Sequence, residues 1–284
     1  MLFLILSIIC SVTVGIIFKL TRHYNCNPVQ IISFNYVFAL LFCYLTYCPN
    51  LDEVSKNDPW NIYAAVGILL PVIFLFLAAS IKHMGIVKTD AAQRLSLFIP
   101  ILAAWFIFKE EFNSYKIIGL SVGFLALLCI LRKPSENQQN KWIYPAIVLL
   151  GFGVIDILFK QIALYSTLPY TTSLFIIFCI ALLISLGIVI YNAVVKRVKL
   201  ETKNILFGGL VGLFNFGNIL FYLKAHKAFS ENPSTVFAGM NMGVIVLGSL
   251  VGVLFFKEKL SKMNFLGISL ALIAIIFIVF SQIK

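Results

Sequence analysis

The chain has 284 residues, of which 61% are hydrophobic and only 12% are charged, and its mean hydropathy is +1.00. Soluble domains carry roughly twice that charged fraction, so the composition excludes a water-soluble globular protein and indicates a chain solvated by lipid. The formal net charge is +11. Most basic residues lie in short segments between apolar runs, where membrane topology explains them, so nucleic acid is not an expected partner.

Apolar runs of about 20 residues, the length that crosses a bilayer, follow one another along the chain. The sequence therefore predicts an all-α, polytopic membrane protein with ten transmembrane helices. The predicted spans are 2–19, 29–48, 60–81, 89–108, 115–131, 142–164, 170–192, 204–224, 233–256 and 264–282.

The chain lacks sequence patterns typical of metal, cofactor or catalytic sites. Its six cysteines form no CxxC or CxxH pair, so no metal and no cofactor is predicted. No HExxH, GxSxG or GxxxxGK[ST] pattern occurs. The three histidines, His23, His83 and His226, stand at the ends of different predicted spans. The sequence therefore does not predict an enzyme.

Basic residues are unevenly divided between the two sides of the predicted bundle. Of the 22 lysines and arginines, 14 lie on one side and six on the other. Basic loops remain in the cytoplasm. The loop around Arg197 is therefore predicted to be cytoplasmic, and both termini external.

The sequence repeats itself. The tripeptide Phe-Lys-Glu occurs at 108–110 and again at 256–258, and Gly119 and Gly267 follow the two copies at equal distance. Further matches at offsets close to this one align the segment 1–132 with the segment 142–284.

Each predicted half holds five spans, an odd number, so the second half must cross the membrane in the opposite sense to the first. Inverted repeats of this kind place a two-fold axis in the membrane plane, and exchange between the halves gives alternating access to a central site. The duplication thus favours a transporter.

With this duplicated pattern the chain resembles the drug/metabolite transporter superfamily, in its ten-span EamA-like branch. The resemblance rests on Pro100, the Phe-Lys-Glu copy at 108–110 and Gly119 in the first half. The second half carries Gly248, the copy at 256–258 and Gly267. The resemblance implies a central cavity lined mainly by spans one to four and six to nine. Many members have cytoplasmic termini, the reverse of the charge-based prediction.

The resemblance implies a secondary active transporter of a small water-soluble organic metabolite, with the lipid bilayer as its surroundings. The expected location is the bacterial inner (plasma) membrane, and export is the expected direction. Proton coupling and association into a homodimer are left open. A lipid-carrier flippase is the alternative function, and a membrane-embedded enzyme is the third.

Asp156 is the acidic residue placed deepest in an apolar run, about 14 residues beyond Trp142. A polar side chain at that depth is costly in lipid and is therefore a candidate for function. Lys160 follows at i+4 on the same helix face. The two residues are expected to form either a structural ion pair or a site for proton and substrate. Lys19, at the position of Lys160 in the first repeat, is expected near the opposite mouth of a cavity or at the membrane interface.

Polar residues also cluster on the face of one predicted helix. Asn215, Asn218 and Tyr222 are spaced as on one side of span eight, which favours a cavity wall; interhelical hydrogen bonding is the alternative. The remaining substrate candidates are Gln93, Arg94 and Asn241.

Several glycine pairs have small-xxx-small spacing, which lets helix backbones approach closely. These pairs are Gly119/Gly123, Gly208/Gly212, Gly239/Gly243 and Gly248/Gly252.

Overall fold

A computed structural model of the chain describes residues 1–52, 54–56, 58–131, 141–256 and 262–281, and this part of the chain contains ten helices and no strand. The helices are α1 (Leu2–His23), α2 (Pro28–Tyr47), α3 (Trp60–Leu95), α4 (Phe98–Phe106), α5 (Ser114–Leu131), α6 (Ile143–Tyr165), α7 (Tyr170–Val194), α8 (Thr202–Ala228), α9 (Pro233–Phe256) and α10 (Lys262–Phe280).

Seven of these helices are long and apolar enough to cross a membrane, namely α1, α2, α3, α6, α7, α8 and α9. The remaining apolar helical stretches are shorter, at 92–106, 114–126 and 265–280. The chain is therefore an all-helical, multi-pass membrane protein. By length among the described residues, the structure supports seven of the ten predicted spans, and α5 and α10 contain 18 and 19 residues.

The predicted boundary between the third and fourth spans is wrong. No loop separates them at 82–88; α3 continues as a helix to Leu95, and the break comes at Ser96 and Leu97. Pro100 explains its position, because proline has no N–H to donate to the carbonyl four residues earlier, which is that of Ser96. The Ser96 carbonyl accepts from the Ile99 N–H instead, at 3.0 Å.

The surface and the interior of the bundle are reversed relative to a soluble protein. Large apolar side chains such as Phe255 and Leu183 are exposed, at 77% and 71%. Polar side chains such as Gln30, Asn35 and Lys160 are buried. This arrangement suits lipid outside the bundle, because polar groups are satisfied between helices.

Glycines set the closest helix crossings, as their spacing predicts. A Cβ at Gly212 of α8 would lie 2.6 Å from the carbonyl oxygen of Asn35 in α2. A Cβ at Gly239 of α9 would lie 2.8 Å from the Leu4 side chain of α1. Gly248 differs, because a Cβ there would meet no atom within 4 Å among the described residues.

Candidate functional site

Two helices that are distant in sequence meet through a partly buried polar contact. The Tyr222 hydroxyl of α8 donates to Asp156 Oδ1 of α6 at 2.8 Å. Tyr222 is buried and Asp156 is half-buried. The acid predicted to lie deepest is therefore placed between two helices of the second predicted half, where its carboxyl accepts a hydrogen bond from a neutral partner.

Lys160 does not pair with Asp156, so the structural ion pair considered for them is not formed. The Lys160 side chain is fully buried, and its Nζ donates to the Ser230 carbonyl at 2.6 Å and to the His226 carbonyl at 3.4 Å. It also lies 6.0 Å from the centre of the Phe108 ring. The amine thus bonds at the end of α8, while Asp156, one turn earlier in α6, bonds to Tyr222, one turn before His226 in α8.

His226 is a site residue that the sequence analysis missed. It is fully buried, and neither ring nitrogen has a hydrogen-bond partner in the described part of the chain. Its ring lies 4.5 Å from that of Tyr222 and 4.8 Å from that of Phe237, between centroids. The i+4 spacing from Tyr222 was the available signal, but the predicted span ended at 224, whereas α8 continues to Ala228.

The other two polar residues of α8 form the interhelical hydrogen bonds considered as the alternative to a cavity wall. Asn215 Nδ2 donates to Asn35 Oδ1 of α2 at 3.1 Å. Asn218 Oδ1 accepts from the Ser7 hydroxyl of α1 at 2.8 Å. Together with Tyr222, these residues connect α8 to three different helices.

The four remaining candidates lie on α1, α3 and α9. Asn241 Nδ2 donates to the Phe237 carbonyl one turn earlier in α9, at 3.0 Å. Gln93 and Arg94 are half-buried in the last turn of α3, and Lys19 is half-buried near the end of α1.

A second buried polar cluster joins the turn after α4 to the start of α9. Glu110 Oε1 accepts from Lys116 Nζ and from the Ser234 hydroxyl, both at 2.6 Å, and Glu110 Oε2 accepts from the Ser234 N–H at 2.9 Å. Lys116 Nζ also donates to Asn232 Oδ1 at 2.8 Å. Glu110 therefore caps the N-terminus of α9. Lys257 and Glu258, in the second copy of the tripeptide, lie outside the described residues.

A cavity of about 210 Å³ lies away from both clusters, between α4, α5, α9 and α10. Its lining is almost wholly apolar and includes Phe98, Phe124 and Met242. It contains none of the nine candidate site residues. Among the described residues, no group of three His, Cys, Asp or Glu side chains could hold a metal ion.

Comparison with known proteins places this architecture in a family. The model of the EamA-like transporter family matches residues 1–132. A solved crystal structure of a protein that is 13% identical superposes with a TM-score of 0.75, over 99% of this chain and 96% of that one, and supports the fold.

Similar sequences include proteins of Haemophilus and of Rickettsia. An uncharacterized protein of Haemophilus influenzae is 43% identical over 96% of this chain and 95% of its own length. S-adenosylmethionine uptake transporters of Rickettsia prowazekii and Rickettsia felis are 22% and 25% identical, each over 87% of this chain and 82% of their own length. The helical membrane fold, the duplicated tripeptide and these similarities agree: the chain belongs to the EamA-like transporter family.

Proposed function

We propose that this chain is a secondary active transporter that carries a small water-soluble organic metabolite across the bacterial inner membrane by alternating access. The observation that carries the proposal is the buried group formed by Asp156, Tyr222, Lys160 and His226. A carboxyl, an amine and an imidazole inside a lipid-embedded bundle are costly to keep. Their placement between α6 and α8 suits a site that binds a polar solute.

The helix contacts support two inverted halves, 1–132 and 142–284. If helices α1 to α5 are exchanged in order with helices α6 to α10, the contact of α1 with α8 becomes the contact of α6 with α3. Both of these contacts occur. The contact of α2 with α8 becomes that of α7 with α3, and both occur. The pairs α2 with α7 and α5 with α10 map onto themselves. A two-fold relation between the halves accounts for this pattern, and inverted halves are the usual basis of alternating access.

Asp156 is the proposed coupling group. Its carboxyl can bind either a proton or a cationic group of the substrate, and opening of the interface between α6 and α8 would expose it. A carrier of this kind exchanges protons for solute. The sequence analysis predicts export, whereas the Rickettsia proteins are named as uptake transporters. The transport assay therefore follows movement of solute in both directions across the membrane.

The test is transport by purified protein in proteoliposomes that are loaded with a labelled metabolite pool, with and without a pH gradient. Uptake and release are followed in both orientations of the protein, and empty liposomes are the control. Accumulation of at least one metabolite that depends on the protein is expected. If no metabolite moves faster than in empty liposomes, the transporter proposal fails.

The apolar cavity between α4, α5, α9 and α10 favours a lipid-carrier flippase as the second candidate. A lipid chain could occupy such a space, although the buried polar group lies elsewhere. Movement of fluorescent lipids between leaflets, measured in the same proteoliposomes, separates the two functions.

A further inference from the structure

The apolar cavity between α4, α5, α9 and α10 runs from the surface of the bundle to its interior. Its rim includes Ser121 and Phe124 of α5, both of which are exposed, Phe124 at 37%. Its floor includes Ala238 and Met242 of α9, which are only 2% and 0% exposed. The cavity is therefore a recess that opens on the outside of the bundle and ends at side chains inside it.

The rim of the recess belongs to the lipid-facing side of α5. Ser121 and Phe124 share one face of that helix with Ile117, Leu125 and Leu128, all of which are exposed. An exposed apolar stripe at helical spacing faces hydrocarbon in a membrane protein, because the solvent there is lipid. Lipid molecules are therefore the surroundings from which the recess is filled.

The floor of the recess lies at the depth of lipid tails. Met242 follows Pro233, the first residue of α9, by nine residues, which corresponds to about 14 Å along the helix. The helix α9 is one of the seven that are long enough to span, and the hydrocarbon layer is about 30 Å thick. The floor is thus near the middle of that layer, far from the polar headgroups.

The lining of the recess suits an apolar group and not water. Of the eleven described residues that line it, Ser121 is the one with a polar side chain. An apolar cavity of about 150 Å³ stays dry and takes up a ligand the size of benzene, and this recess has about 210 Å³. An unfilled recess would deprive its lining of dispersion contacts, which an inserted hydrocarbon chain restores.

Gly123 keeps the recess open between its rim and its floor. A Cβ at this position would lie 3.5 Å from Met242 Sδ and 3.5 Å from the Ala274 side chain, which is ordinary contact. A larger side chain at position 123 would therefore extend over the floor and fill the space.

We propose that the recess binds one acyl chain of a membrane phospholipid as a resident ligand. The chain enters past Ser121 and Phe124, and its end lies against Met242. Because α4 and α5 belong to the first half of the molecule and α9 and α10 to the second, the bound chain contacts both halves. The site lies apart from the buried polar group, so the inference holds whichever solute is transported.

The experiment is photolabelling of the purified protein in nanodiscs made from a phospholipid with a diazirine near the end of one acyl chain. Labelled residues are identified by mass spectrometry of peptides. Label is expected on Met242 or Ala238 at the floor, as well as on exposed positions such as Leu183 of α7. Ile177 is the negative control, because it is fully buried in α7 and does not line the recess.

Three variants test the route of the chain. Gly123→Leu fills the recess, so label at Met242 should be lost while label at Leu183 remains. Phe124→Ala removes a side chain from the rim and should increase label at Met242, which keeps the test decisive if Gly123→Leu fails to fold. Gly187→Leu is the matched control, since Gly187 is exposed on α7 and a Cβ there would meet no described atom within 4 Å. It should leave the labelling of Met242 unchanged.

Each outcome decides for or against the acyl-chain site. An unlabelled floor in protein that is labelled at Leu183 overturns it, and equal labelling of Met242 in Gly123→Leu and the unaltered protein does the same. An unlabelled floor in protein that forms dimers in the nanodisc would assign the recess to a second copy of the chain instead. Labelling requires no transport, so its failure leaves the transporter proposal standing.

Discussion

The Asp156 carboxyl has one described hydrogen bond, from Tyr222, and an amide can accept the same bond. Asp156→Asn is therefore expected to fold normally. Transport driven by a pH gradient should be lost, while substrate exchange should continue with weaker binding, because the amide binds neither a proton nor a cation well. Tyr222 is the titratable group in contact with this position, Lys160 and His226 each lie one helical turn further along α6 and α8, and all three remain in the variant.

The measurement is uptake into proteoliposomes with an imposed pH gradient, beside exchange without one. Asp52→Asn, in an exposed turn, is the matched control and should behave as the unaltered protein. Normal gradient-driven uptake by Asp156→Asn would refute the coupling role.

Removal of the Tyr222 hydroxyl tests the same contact from α8. Tyr222→Phe leaves the Asp156 carboxyl without its donor and should destabilise the protein by about 1–3 kcal/mol, seen as a lower thermal unfolding temperature in detergent. In the double variant with Asp156→Ala, which removes the acceptor, the two losses of stability should be less than additive, because the residues share one hydrogen bond. If the losses of stability in the two single variants add fully in the double variant, the hydrogen bond contributes little to the stability of the protein.

At the scale of elements, Glu110 holds the turn after α4 against the start of α9. Glu110→Gln leaves the Lys116 amine buried without a counter-charge, and loss of one partner of a buried ion pair typically costs about 3–5 kcal/mol. The exposed pair of Glu201 and Lys203, at 2.8 Å, is the matched control. Glu201→Gln should leave the unfolding temperature nearly unchanged, because solvent screens an exposed pair. Equal effects of the two substitutions on thermal unfolding would contradict the prediction.

The crossing of α2 and α8 depends on Gly212. Gly212→Ala places a methyl group 2.6 Å from the Asn35 carbonyl oxygen, so the two backbones must separate. The expected loss of stability is about 1–3 kcal/mol. Gly248→Ala, which meets no described atom within 4 Å, should leave the unfolding temperature unchanged or slightly raised. If Gly212→Ala and Gly248→Ala both unfold at the same temperature as the unaltered protein, α2 and α8 can move apart at this crossing without a loss of stability.

At the scale of the whole molecule, the distribution of basic residues predicts a cytoplasmic loop around Arg197 and two external termini. A reporter that is active only outside the cell, fused to the C terminus, should be active, and the same reporter inserted at Arg197 should be silent. The opposite result would place the termini in the cytoplasm, as in many members of the family.

Periodicity and apolar length predicted the helices well, because a lipid-spanning segment has to bond its own backbone. They failed at the boundary between α3 and α4, where the proline at 100 and not the charged segment at 82–88 determines the break. Side-chain direction was harder to predict. The spacing of Asp156 and Lys160 suggested a pair, yet each side chain bonds to α8 or its end instead, since only tertiary packing decides between a neighbour on the same helix and one on another.

The polar contacts of α8 bear on how the chain is made. α8, which carries Asn215, Asn218 and Tyr222, is the least apolar of the seven helices that are long enough to span, and by itself it would partition into lipid less favourably than the other six. Its partners Asn35, Ser7 and Asp156 lie on α2, α1 and α6, all of which are synthesised earlier. When α8 leaves the translocon, its binding surface is therefore already in the membrane, and its insertion is expected to be coupled to docking against helices that precede it.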